Sequence, residues 1–239
     1  MKFFEKIYDG FLNFFGDLKV FKYPMFIIYD PGSYLVKGED TREVINLIKP
    51  GDILVRGYIN YLDGYFIPGF FSHAGLYLGE VKEADRSHVK PGQDGRFRAG
   101  EQMVIHSMSE GVFMEDIINF CRCDYMVILR RNTDKESEAG KKVIFEDVFK
   151  TALGYLGEDY DFKFDFSDFT KVSCTELVYA CCQGFMDDYD IKVREKRALL
   201  FIKKRMIAPD DFVNSKLDIA WKSKSLTDKR IQKIRNTIQ

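Results

Sequence analysis

The chain has 239 residues, 46% of them hydrophobic and 15% aromatic, which excludes a disordered or low-complexity protein and fits one domain over residues 1–239. Its formal net charge of −1 supplies no global field for nucleic acid, and no window approaches 18 consecutive apolar residues, so no membrane span is expected. Five cysteines, odd in number and with Cys181 beside Cys182, do not read as a disulfide framework, and the tight Cys121–Cys123 spacing does not read as a zinc site, so neither metal nor cofactor is expected.

Residues 3–18 place Phe4, Ile7, Phe11, Phe14, Phe15 and Leu18 near one helical stripe, which predicts an amphipathic helix. The charges around it (Lys2, Glu5, Lys6, Asp9, Asp17) give no pull toward anionic lipid. Packing on its own domain or on a second subunit is therefore favoured, while peripheral lipid contact and self-association stay open. The segment has neither an uninterrupted apolar run nor a small-residue cleavage site, so a cytoplasmic protein is expected; a leader ahead of it would redirect the chain to the envelope.

After an irregular stretch with Pro24, Pro31 and Gly32, Asp40 three residues before Glu43 predicts a short helix running to about Leu47. Pro50-Gly51 ends it, and Ile53-Leu54-Val55 begins the first strand. Alternation predicts strands at 73–79, 102–107 and 125–130, with an exposed charged loop at 80–100. Helical spacing returns at 139–156 and at 173–186. The basic segment Arg194–Arg205 has an apolar middle, which reads as a solvated edge more than a phosphate track. Pro209 precedes a short acidic turn, and a polar tail follows from Trp221. The expected organisation is an N-terminal helix and extension (1–45), a core (45–215) and a tail (216–239). Strands in the middle flanked by helices predict an α+β fold on an antiparallel sheet.

Ser173-Cys174-Thr175-Glu176 spells a capping box, which makes Cys174 the first residue of its helix. A thiolate there lies against free backbone N–H groups and the positive end of the helix dipole, both of which favour it. The same amides can hold an oxyanion. A helix-start cysteine alone is as readily an inert buried thiol, so a base must be found elsewhere. Cys181 and Cys182, deep in the helix, read as small buried hydrophobes.

Of three histidines, His88 falls in the charged loop. His73 shares a strand face with Gly75 and Tyr77, opposite Ala74, Leu76 and Leu78. Gly75 beside it leaves room for another backbone or a substrate. His106 lies on the next predicted strand; if the two strands pair antiparallel, one imidazole can orient the other. Asp52, after the Pro50-Gly51 turn, caps that turn or binds substrate, and is left outside the site.

The order Pro50-Gly51-Asp52-Ile53-Leu54, Ser72-His73-Ala74-Gly75-Leu76-Tyr77-Leu78-Gly79, Val104-Ile105-His106 and Ser173-Cys174-Thr175-Glu176-Leu177-Val178-Tyr179 resembles the circularly permuted NlpC-type cysteine hydrolases of the YiiX-like branch. The resemblance covers roughly residues 45–215, including Ile207-Ala208-Pro209-Asp210-Asp211. It implies a permuted papain-like fold with the strand histidine ahead of the helix cysteine, Cys174 as nucleophile, His73 as base and His106 in a third position where a glutamate is often found.

The expected activity is hydrolysis of an amide in a small peptide, amino-acyl or acyl-amide substrate through a thioester. An acyltransferase or lipid hydrolase of the lecithin–retinol acyltransferase type is the alternative, with the N-terminal helix and the loop Tyr61–Phe71 lining an apolar pocket. A silent binding module is the second alternative.

Overall fold

The computed structural model describes residues 19–22, 25–28, 34–59, 67–134, 137–198 and 202–236. The expected N-terminal helix and most of the loop Tyr61–Phe71 lie outside these residues. A two-stranded hairpin, β1 (Lys19–Lys22) and β2 (Met25–Ile28), precedes the helix α1 (Gly38–Leu47).

The centre is a six-stranded sheet in which every neighbour pair is antiparallel. Its strands are β3 (Ile53–Gly57), β4 (His73–Val81), β5 (Gly100–Met108), β6 (Gly111–Asp116), β7 (Tyr125–Arg130) and β10 (Asp218–Lys222), in the order β10-β7-β3-β4-β5-β6. Both faces are covered. On one face Ile53, Val55, Leu76, Ile105, Val127 and Leu129 meet the helices α3 (Glu138–Gly154) and α4 (Cys174–Met186) through residues such as Ala152 and Leu177. On the other face Leu54, Tyr77, Val104, Met126 and Ile128 meet Val44 of α1 and Phe120 of the short α2 (Ile117–Phe120). A sheet buried on both sides needs continuous apolar runs, which is why the strands carry ILV and YMVIL.

Several sequence expectations shift. Helix α1 begins two residues before Asp40, whose carboxylate sits in the first turn and accepts from the Lys37 N–H at 3.1 Å. An acid three residues past a cap serves the helix start better than an acid at the cap followed by glutamate. The segment beyond Trp221 is no polar tail: β10 closes the β7 edge of the sheet, and Ile231 and Ile234 of α6 (Asp228–Asn236) are buried. The acidic turn after Pro209 is the helix α5 (Pro209–Asn214), and the basic segment is a hairpin of β8 (Arg194–Ala198) and β9 (Ile202–Met206). Cations in and beside that hairpin meet partners of the same chain, with Lys196 on Asp211 and Lys203 on Glu195. Asp52 does cap its turn, accepting from the Lys49 N–H at 2.8 Å, and it also takes a bidentate pair from Arg130.

Candidate active site

The capping box at the start of α4 forms as its spelling predicts. The Ser173 N–H donates to Glu176 Oε2 at 2.7 Å, and the Glu176 N–H donates to Ser173 Oγ at 3.4 Å. Ser107 Oγ donates to the Val172 carbonyl at 2.6 Å and so ties the residue before this cap to the strand that carries His106. Cys174 is thereby fixed at the first position of α4 and is 2% exposed. The backbone N–H groups of Ala74, Thr175 and Cys174 itself act on its sulfur and favour the charged form. Ala74 follows His73, so the thiol reaches the end of β4 at which His73 starts the strand.

The helix start does not leave this thiol acidic. Burial pushes its pKa up to about 11, and the backbone N–H groups of Ala74, Thr175 and Cys174 itself offset only part of that. The expectation of a low pKa therefore fails at Cys174: desolvation outweighs the dipole of the helix.

His73 and His106 meet as the antiparallel pairing predicts. His73 Nε2 and His106 Nδ1 are 2.8 Å apart, and the ring planes cross at 80°. Both are buried, at 7% and 0% exposure. Burial is the largest influence on each and lowers both pKa values, His73 well below 6.5. The Arg56 charge adds to that effect at both rings. At neutral pH both rings are therefore uncharged.

Three neighbours complete the cluster, none of them singled out by the sequence. Glu115 of β6 places Oε1 3.2 Å from His106 Nε2, an off-axis approach that brings charge into contact without an ideally aligned hydrogen bond. Arg56 of β3 is paired directly with His73 across the strands. Its guanidinium contacts Glu115 at 3.4 Å, donates to the Phe120 carbonyl at 3.0 Å and lies over the Phe120 ring at 4.1 Å. Phe120 packs under both imidazoles, with ring centroids 5.9 Å from His73 and 5.4 Å from His106. The space at Gly75 belongs to this ring, not to a substrate or backbone. A Cβ on Gly75 would lie 2.8 Å from Phe120 Cε2. Buried hydroxyls flank the cluster on Ser72 and Thr175, neither with a partner among the described residues.

Two carboxylates hold the frame. Asp210 accepts from the N–H groups of Phe70 and Phe71, each at 2.8 Å, and so fixes the residues leading into His73. Glu176 is fully buried in its cap; burial first, and then the charge of Asp161, raise its pKa to about 8 against the contacts from Ser173. A carboxyl that is harder to ionise in the folded chain stabilises it fully below its ordinary pKa of 4.5 and loses that contribution as pH rises through about 8. Replacing Glu176 by Gln keeps an acceptor for the Ser173 N–H and removes the titration. Denaturant unfolding between pH 5 and 8 will therefore lose stability less steeply in E176Q than in the parent, by up to ~1.4 kcal/mol per pH unit. Parallel slopes would show that Glu176 ionises freely.

His88 is exposed and far down the 80–100 loop, and Cys121, Cys123, Cys181 and Cys182 are buried thiols whose pKa values burial raises. Among the described residues no helix is long and apolar enough to cross a membrane.

A strand histidine that precedes a helix-start cysteine, on an antiparallel sheet covered by helices, is the arrangement of the permuted papain-like enzymes. The profile of the permuted papain-like amidases, YaeF/YiiX, C92 family, matches residues 47–232. No curated protein and no solved structure matches the chain. The match takes in every strand of the central sheet, the cysteine helix and both histidines, and the chain belongs to this family of cysteine peptidases and amidases.

Proposed function

We propose that the chain hydrolyses an amide bond of a small peptide, amino-acyl or acyl-amide substrate through a thioester on Cys174, with His73 as base and His106 as the group that orients it. The observation that carries this reading is the 2.8 Å contact between His73 Nε2 and His106 Nδ1 at the end of β4 where the Cys174 sulfur meets the Ala74 N–H. With Nε2 of His73 engaged by His106, Nδ1 is the nitrogen left to serve the thiol.

Both reacting groups rest neutral, because burial raises the thiol pKa and lowers that of His73. The thiol proton therefore moves to His73 as sulfur attacks the carbonyl carbon, and no standing thiolate–imidazolium pair is needed. The oxyanion gathers at the backbone N–H groups of the helix start, with the Cys174 N–H foremost. His73 returns its proton to the leaving amine, the C–N bond breaks, and the thioester remains. Water then attacks the thioester, passing a proton to His73; the acid leaves and the thiol is restored.

Iodoacetamide labelling with mass-spectrometric location of the modified residue tests this. All five thiols carry pKa values raised by burial, so selectivity must come from the base. Between pH 5 and 9, Cys174 is expected to be alkylated ahead of the other four, and in His73→Ala its rate at pH 7 should fall to theirs. Equal, slow reaction of all five in the parent chain would make this an inert thiol and the fold a binding module.

A further inference from the structure

We propose that Glu115, clamped by Arg56, is a positioning residue that sets the tautomers of both histidines and so leaves Nδ1 of His73 free to accept a proton; this rests on the assignment of Cys174 and His73 as nucleophile and base. An ionised carboxylate can only accept, so the charge of Glu115 Oε1, 3.2 Å away, favours the proton of His106 on Nε2 over a lone pair there. A neutral imidazole protonated at Nε2 has its lone pair at Nδ1. That lone pair, 2.8 Å from His73 Nε2, requires the His73 proton on Nε2. His73 Nδ1 is then bare. Reversing the proton on either ring would put a hydrogen on His73 Nδ1 and remove the base.

Glu115 is suited to impose that order. It stays ionised: burial would raise its pKa, but the contacts to His106 and Arg56 outweigh this and hold it below the ordinary carboxylate value. Arg56 can only donate, so its contact at 3.4 Å keeps the acid in its accepting form. The register explains the reach. Glu115 pairs with Val104 and His106 pairs with Phe113, so Glu115 is the diagonal neighbour of His106 on the same sheet face. The charged groups acting on the histidine pair are Arg56 from β3, Glu115 from β6 and Glu110 from the β5–β6 turn. When His73 takes the thiol proton, the positive charge faces a string that ends in the Glu115 carboxylate, which stabilises it.

The test uses the full chain with 15N-labelled histidine rings. Long-range 1H–15N spectra of the parent at pH 7 should show His73 and His106 both protonated at Nε2 and bare at Nδ1. A parent chain with His106 protonated at Nδ1 would overturn the proposal, whether or not any variant folds. In Glu115→Gln the iodoacetamide rate at Cys174 should fall about tenfold at pH 7, and the acidic limb of its pH profile should move down by about one unit. A thermal midpoint within a few degrees of the parent would show that the fold is kept. An unchanged rate and profile in E115Q would equally overturn it. A parent chain whose Cys174 is inert but whose rings show both Nε2 protons would keep the string and sink the nucleophile, so the two readings fail separately.

Discussion

Cys174→Ala will abolish turnover of any amide, ester or thioester that the parent chain hydrolyses, a loss of about 10⁴-fold or more, while the fold stays intact. The sulfur is the atom that forms the covalent intermediate, and nothing else at the start of α4 can replace it. Of the adjacent hydroxyls, Ser173 Oγ is held in the cap by the Glu176 N–H, and Thr175 lies one residue further along the helix. Losses of this size follow removal of a nucleophile, because the histidines retain no partner on which to act. The structural cost is small. Ala is a good helix former at this position, the Ser173–Glu176 cap does not involve the thiol, and the surrounding shell has already buried the group with only weak backbone contacts. Circular dichroism and thermal unfolding should match the parent within a few degrees. A variant that folds and keeps its rate would remove Cys174 from the chemistry and with it the thioester.

The parts of this site legible in the sequence are those whose signal is local. Ser173 and Glu176 sit at capping-box spacing, and that spacing alone places Cys174 at the head of α4. Alternation around His73 places it on the face away from Leu76 and Leu78, and the structure has it there. Glu115 and Arg56 escaped because neither has a local signature. Arg56 ends an apolar run, and nothing beside it in the sequence marks it as buried, yet it is 3% exposed. Its burial is tolerable because two residues, Glu115 of β6 and Phe120 of α2, converge on it, and those lie about 60 residues away. Glu115 matters through a diagonal contact across two strands, which depends on the exact register of the β5–β6 hairpin. The acidity of the thiol is not legible in the sequence for a related reason. A helix start is visible in four residues, whereas desolvation is set by everything packed around it. The segment beyond Trp221 shows the same limit: α6 is polar on average, and only the three-residue spacing of Ile231 and Ile234 marks its buried stripe.

Arg56→Met should cost about 3–5 kcal/mol of unfolding free energy, the range expected when one partner of a buried ion pair is removed. Methionine fills much of the volume over Phe120 but donates nothing. The Phe120 carbonyl loses its 3.0 Å donor, and Glu115 keeps its charge, 20% exposed, with only His106 beside it. Combining R56M with E115Q should cost less than the two single changes together, since the second removes the charge that the first leaves stranded. The same variant separates two effects at the histidines. After burial, the Arg56 charge is the next influence holding the His73 pKa down. Without Arg56 the His73 pKa rises, so the acidic limb of Cys174 alkylation moves to higher pH, the reverse of the shift expected for E115Q. A guanidinium beside a base would ordinarily count against catalysis, but here it keeps His73 neutral and receptive at the pH where the thiol must give up its proton. Denaturant titration of R56M within 1 kcal/mol of the parent, or an alkylation limb that moves the same way as in E115Q, would show that Arg56 neither holds the cluster together nor tunes its base.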